Sequence, residues 1–109
     1  MSDDTISILA ATVHARRQTS GEKSYTRQLL DAGPEKCARK FGEEAIETVL
    51  AGVGTDNKAL TAEAADTLYH LLVLLEVRGV ALSDVYAELL RRMGTSGLDE
   101  KKSRGRTPS

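Results

Sequence analysis

Four carboxylates in this sequence fall into two pairs of equal spacing. Glu44 and Glu47 stand three residues apart, and so do Glu63 and Asp66. On a helix, residues three apart share a face, with Cβ atoms about 5–6 Å from each other. Glu63 and Asp66 lead into a stretch, Leu68 to Val77, in which nearly every residue is apolar. A carboxylate pair on a buried helix is costly unless something positive neutralises it. Two such pairs on helices joined by a short turn can meet, placing four carboxylates around one small volume. Hard divalent ions such as Mg²⁺ take oxygen ligands of this kind and usually bind substrate phosphates as well. Spacing alone leaves an alternative open for Glu44 and Glu47, because Glu and Lys at three- and four-residue intervals also mark solvated helix faces. Glu63 and Asp66 are harder to dismiss in that way.

The neighbours extend the pattern. At about 100° per residue, Cys37, Ala38, Phe41, Ala45 and Val49 form an apolar stripe, and Lys36, Lys40, Glu44 and Glu47 line one edge of it. Lys36 and Lys40 are placed to contact phosphates, although helix-surface solubility explains them equally well. Glu43 lies further round, toward solvent or behind the ligands. His70 follows Asp66 by four residues on the same stripe. A metal ligand, a donor behind the ligands and a core histidine all fit it, the last two better than the first. Ser24, Tyr25 and Thr26 suit either a phosphate or ribose contact or a plain helix start. A di-iron carboxylate bundle requires Glu-x-x-His on paired helices. Thr67 occupies the position three before His70, so the iron reading fails.

These residues need helices to position them. Ile6, Leu9 and Val13 recur at helical spacing within residues 3–19, and Ser20 and Gly21 break that helix. Tyr25 to Asp31 reads as a short helix. Pro34 suits the first turn of a longer one, running to about Ala51, because its missing N–H would be unpaired there anyway. Thr55 and Asp56 offer caps for a helix over Asn57 to Arg78, which Gly79 stops. Ser83 or Asp84 starts a last helix that ends near Gly94. No run of alternating residues reads as a strand. The expectation is an all-α bundle of four to five helices in residues 1–95. A flexible tail follows over 96–109, with basic Lys101, Lys102, Arg104 and Arg106. A helix apolar all round must be buried on every side. A chain this small has few helices to surround Leu68–Val77, which favours a homodimer over a monomeric bundle with one central helix.

Composition bounds the remainder. The chain has 109 residues, one domain's worth, and only 4% aromatic side chains, so Leu, Val, Ile and Ala must build the core. Fifteen basic and sixteen acidic side chains give a net charge of −1, which argues against a nucleic-acid partner. The single cysteine, Cys37, excludes an intramolecular disulfide and a multi-cysteine zinc site. The longest fully apolar stretch, Leu71 to Leu75, is far short of a membrane span, and no signal peptide is evident. A cytoplasmic protein with no membrane partner is expected.

Taken in order, the motifs form a resemblance. Glu43-Glu44-Ala45-Ile46-Glu47 followed by Glu63-Ala64-Ala65-Asp66 resembles the EExxE…ExxD signature of the all-α nucleoside triphosphate pyrophosphatase superfamily. Ser24-Tyr25-Thr26, Leu29-Leu30, Gly33-Pro34-Glu35-Lys36, Lys40-Phe41-Gly42, the run Asp66 to Leu75 and Glu88 to Arg92 narrow it. Together, over about residues 5–102, they resemble the phosphoribosyl-ATP pyrophosphatase family of histidine biosynthesis. The resemblance implies a Mg²⁺-dependent hydrolase that cleaves the α–β phosphoanhydride of phosphoribosyl-ATP. It implies Glu44, Glu47, Glu63 and Asp66 as metal ligands, with Glu43 in a lesser role, and an α-helical homodimer or higher assembly. Phe41 departs from the smaller aliphatic expected there, a matter of packing.

Phosphoanhydride hydrolysis needs neutralised oxygens and a positioned water. Glu44 or Glu47 is the expected proton acceptor. One Cys and two His exclude the zinc-dependent cyclohydrolase that is fused to this enzyme in some organisms. Two alternatives stand beside this reading: a house-cleaning pyrophosphatase of the same superfamily, and a helical dimerisation module without catalysis.

Overall fold

A computed structural model describes residues 4–94, and among these there are five α-helices and no strand. Helix α1 spans Thr5–Ala15, α2 Tyr25–Ala32, α3 Pro34–Gly52, α4 Asn57–Arg78 and α5 Leu82–Met93. The basic residues of 96–109 lie outside the described residues. The all-α expectation holds, and the α4 bounds are those read from its cap and stop signals.

Local chemistry sets these bounds. The Asp4 carboxylate accepts from Ser7 N–H at 2.7 Å and opens α1. Asp56 accepts from the Lys58 and Ala59 N–H groups at 3.0 and 3.1 Å and opens α4. Such caps satisfy donors that have no partner inside the helix. Gly79 closes α4 at φ 72°, in the left-handed region that glycine enters without steric cost, and Val80 N–H returns to Leu75 O at 2.9 Å. The first helix is shorter than its periodicity predicts. It gives way at Arg16–Gln18 to a 3-10 turn, and Thr19 is extended. Arg27 Nη1 donates to the carbonyls of Arg17 and Thr19, at 2.7 and 2.9 Å, and holds the chain in that turn.

Helices α3 and α4 form an antiparallel hairpin with the most extensive interface in the chain, and α1 and α2 pack across it. The core is Val13, Leu29, Leu30, Cys37 and Val73, with Leu9, Tyr69, Leu74 and Val77 against it. Cys37 Sγ donates to Leu29 O at 3.2 Å, and burial pushes its thiol pKa up, so this cysteine is a core residue and a poor nucleophile.

Two apolar faces stay partly open within the single chain. Of the apolar stripe on α3, only Cys37 is buried; Ala38 is exposed and Val49 is 63% exposed. On α4, Leu72 and Val73 are buried, but Leu68 is 45% exposed. The cause is the same in both cases. Helices α1 and α2 cover one side of the hairpin, and α5 lies only loosely against it, leaving Leu89, Leu90 and Met93 in the open.

Far from the carboxylate pairs, Glu76 ties α4 to α1. Its carboxylate accepts from His14 Nδ1 at 2.9 Å and from Arg17 Nε, while Arg17 Nη2 donates to Glu76 O at 2.7 Å. Burial raises the Glu76 pKa, but Arg17 and His14 outweigh it and hold the carboxyl below its ordinary value. An acid with a depressed folded pKa stabilises the fold above its unfolded value, about 4.5, and loses that contribution as pH falls through the folded value. Replacing Glu76 by Gln is expected to cost about 1–3 kcal/mol at pH 7. Urea unfolding of both proteins should show this gap narrowing progressively below pH 4.5.

Candidate functional site

The hairpin brings the two acidic pairs to one place. Glu44 from α3 and Glu63 and Asp66 from α4 each offer an oxygen, all within 4.8 Å of one another. Glu44 and Glu63 are half-buried and Asp66 is exposed, so the group opens to solvent on one side. Glu47 is exposed and lies outside this trio. It remains close enough to act on Glu63, whose pKa is raised by burial and then by the charges of Glu47, Asp66 and Glu44.

The other predicted residues divide between this site and the fold beneath it. Lys40, half-buried, pairs with the exposed Glu43 at 3.4 Å. That contact raises the Lys40 pKa, with smaller contributions from Tyr25, Glu43 and Glu44 charges. Lys36 is exposed one turn earlier. Ser24 and Thr26 are buried, and their hydroxyls are engaged in the fold. The Ser24 hydroxyl caps α2 by accepting from Arg27 N–H at 3.1 Å, and Thr26 Oγ1 lies 2.5 Å from the Tyr69 hydroxyl. Tyr25, between them, is 52% exposed.

His70 is buried beneath the acids, edge-on to two rings: Tyr69 at 4.9 Å and Tyr25 at 6.4 Å between centroids. Burial lowers its pKa, and Lys40 adds to this, against the opposing charges of Glu44, Asp66 and Glu43. The imidazole is therefore neutral at pH 7. It lies outside the three-carboxylate group.

Sequence reading passed over one pair. Thr48 and Thr67 meet where α3 crosses α4, with hydroxyl oxygens 2.6 Å apart. The available signal was a threonine four residues after Glu44 and another four after Glu63.

This arrangement of helices and acids has close relatives. A family model described as phosphoribosyl-ATP pyrophosphohydrolase matches residues 7–93. The chain belongs to the phosphoribosyl-ATP pyrophosphohydrolase family. It is 57% identical over 102 residues to a Rhodopseudomonas palustris protein named phosphoribosyl-ATP pyrophosphatase 1, covering 94% of this chain and 95% of that one. A Jannaschia protein named phosphoribosyl-ATP pyrophosphatase is 57% identical over 96 residues, 88% of this chain and 94% of its own. An Azorhizobium caulinodans protein of the same name is 53% identical over 109 residues, 98% of this chain and all of its own. The match to the pyrophosphohydrolase family model includes both acidic pairs and the whole of the hairpin.

The donor set suits a hard cation, since it consists of carboxylate oxygens with no sulfur or nitrogen among them. Oxygens facing each other across Mg²⁺ stand about 4 Å apart, so this trio can close on one such ion by small adjustments.

Without a cation, the clustered charges oppose folding. An acid with a raised folded pKa favours the fold below its unfolded value and loses that contribution as pH rises through the folded value. In chelator at pH 7, replacing Glu63 by Gln should therefore raise the Tm by a few degrees. At pH 4 that advantage should shrink. In excess Mg²⁺ at pH 7 the order should invert, with wild type the more stable, as thermal melts under the three conditions will show.

Proposed function

We propose that this chain hydrolyses the α–β phosphoanhydride of 1-(5-phosphoribosyl)-ATP, releasing phosphoribosyl-AMP and pyrophosphate, as a step of histidine biosynthesis. The convergence of Glu44, Glu63 and Asp66, in a chain of this family, carries the proposal. Glu44, Glu63 and Asp66 would hold Mg²⁺, and Glu47 stands beside them outside that trio. Bound there, Mg²⁺ supplies charge neutralisation for the phosphoanhydride oxygens and lowers the pKa of a water.

The remaining work belongs to side chains. Glu47, exposed and outside the trio, is the carboxylate left to accept the attacking water's proton. Lys40 and Lys36 put positive charge on the α3 surface preceding the acids, where the phosphates of a bound nucleotide would lie. Tyr25 offers an exposed ring face to the nucleotide, while Ser24 and Thr26 hold the α2 start that presents it. His70 keeps the floor of the site neutral and packed.

The proposal extends to a homodimer. Ile6, Leu68, Leu71, Leu82, Val85 and Leu89 line an apolar groove between α1, α4 and α5. A second copy seated there would cover the apolar face that α4 and α5 leave open in the single chain. The free, buried Cys37 accords with the reducing cytoplasm.

Steady-state assays test the chemistry. Wild type should turn over phosphoribosyl-ATP faster than dUTP or dCTP; the reverse would indicate a house-cleaning enzyme. Glu47→Gln and Asp66→Asn should each lose about 10²-fold or more in kcat with helical content intact. Neither should rescue a histidine auxotroph that wild type rescues. Unchanged turnover in both variants would sink the assignment. Sedimentation tests the assembly: wild type should run as a dimer, and Leu68→Glu should shift it toward monomer.

A further inference from the structure

The Thr48 and Thr67 hydroxyls contact more than each other. Thr48 Oγ1 lies 3.1 Å from Glu44 O and 3.0 Å from Glu63 O. Thr67 Oγ1 lies 2.9 Å from each of the same two carbonyl oxygens. Both threonines are half-buried. Two hydroxyls and two carbonyls thus form one compact knot across the hairpin.

Ordinary helical threonines do not do this. Thr12 and Thr61 each donate to one carbonyl four residues back, Ile8 O and Asn57 O, both at 2.9 Å and both within their own helix. Such back-bonding is common wherever threonine sits in a helix. Thr48 and Thr67 lie within reach of that carbonyl and equally within reach of one on the opposite helix. Each hydroxyl has a single proton to donate, so the pair has two protons for the contact between hydroxyls and the two carbonyls. One hydroxyl donates to the other, which in turn donates to a carbonyl. That relay bonds three of the four oxygens at a time and crosses the hairpin at the contact between hydroxyls. Sliding α3 along α4 by about 1 Å would break it, because an O–H···O bond is lost beyond about 3.5 Å. Apolar contacts tolerate such sliding far better.

The knot is placed on the acids. Its carbonyls belong to Glu44 and Glu63, members of the trio from opposite helices. Its hydroxyls belong to the residues directly after Glu47 and Asp66. All four carboxylates therefore hang from backbone that this knot joins, or lie one residue from it.

We infer that Thr48 and Thr67 are positioning residues for the acidic site. Their shared hydrogen bonds fix the register of α3 against α4, and hence the spacing of Glu44 from Glu63 and Asp66. The inference rests on the metal-site reading proposed above.

The test replaces both residues by valine, which keeps their shape and removes the hydroxyls. Removing both partners of a buried hydrogen bond together costs little stability, so the double variant should melt within about 4 °C of wild type. Calorimetric titration with Mn²⁺ should show its affinity about tenfold or more weaker, as expected when groups that orient ligands are lost. At saturating metal, kcat should fall by a similar factor with KM little changed. The Thr48→Ser/Thr67→Ser double variant should recover affinity and kcat to within about threefold of wild type. Thr61→Val should match wild type throughout.

An Mn²⁺ affinity in the double valine variant within about twofold of wild type overturns the inference. So does a serine pair as impaired as the valine pair, which would assign the effect to packing. Should the double valine variant not fold, Thr48→Val alone is judged by the same measures. Wild type that binds Mn²⁺ while the valine pair binds equally well defeats only the positioning role. Wild type that binds no Mn²⁺ defeats the metal-site reading and this inference with it.

Discussion

Mutual repulsion among like charges is the constraint on which this structure turns. Glu44, Glu63 and Asp66 stand within 4.8 Å, and Glu47 adds its charge nearby. No lysine or arginine is paired with any of the trio among the described ion pairs; the one basic partner close at hand, Lys40, pairs with Glu43. The hairpin must hold these acids together against their own field. It does so with means that carry no charge to the site: the Asp56 cap and the Gly79 stop at the ends of α4, Leu72 and Val73 in its buried face, and the threonine knot between the helices. The trio is thus gathered by packing alone, and its oxygen-only donor set suits a hard cation.

The layer beneath the acids has a related logic. His70 is buried, and its imidazole is held neutral by that burial, so it adds no charge under the carboxylates. The ring packs edge-on against Tyr69, whose hydroxyl meets Thr26 on α2. Burial raises the Tyr69 pKa further above neutrality, so that contact stays between neutral hydroxyls. The start of α2 is thereby fixed to α4, and Tyr25 is left on the open side. At the other end of α4, the charges are arranged differently. Glu76 is matched by Arg17 and His14, and its depressed pKa marks a carboxylate that stabilises the fold. One helix thus carries Glu63, an acid that opposes folding, near its start and Glu76, an acid that favours it, near its end.

The uncovered apolar surface follows from size. Five helices in 91 described residues cannot enclose α4, and the chain leaves Leu68, Val49 and much of α5 exposed. Single exposed leucines are ordinary on protein surfaces. A groove continuous from Ile6 through Leu68 to Leu89 is a stronger feature. The homodimer proposed above would cover this face and account for a helix apolar on nearly every side.

Much of this was written in the local sequence. Periodicity, Pro34, Asp56 and Gly79 set the bounds of α2 to α5 to within a residue or two, because caps and breakers act over one turn and need no distant partner. The paired acids were legible for the same reason, since three-residue spacing fixes a shared helix face. Three things were not legible. The early end of α1 depends on Arg27, ten residues beyond the turn it holds. The division of Ser24, Tyr25 and Thr26 into two fold residues and one exposed ring depends on Tyr69 and His70, over forty residues away. The gathering of Glu44 with Glu63 and Asp66, leaving Glu47 outside, depends on how far α3 is rotated and shifted against α4. Spacing along one helix carries no information about register between two. The sequence alone determined which residues share a face; only the packed hairpin decided which faces meet, and at what level.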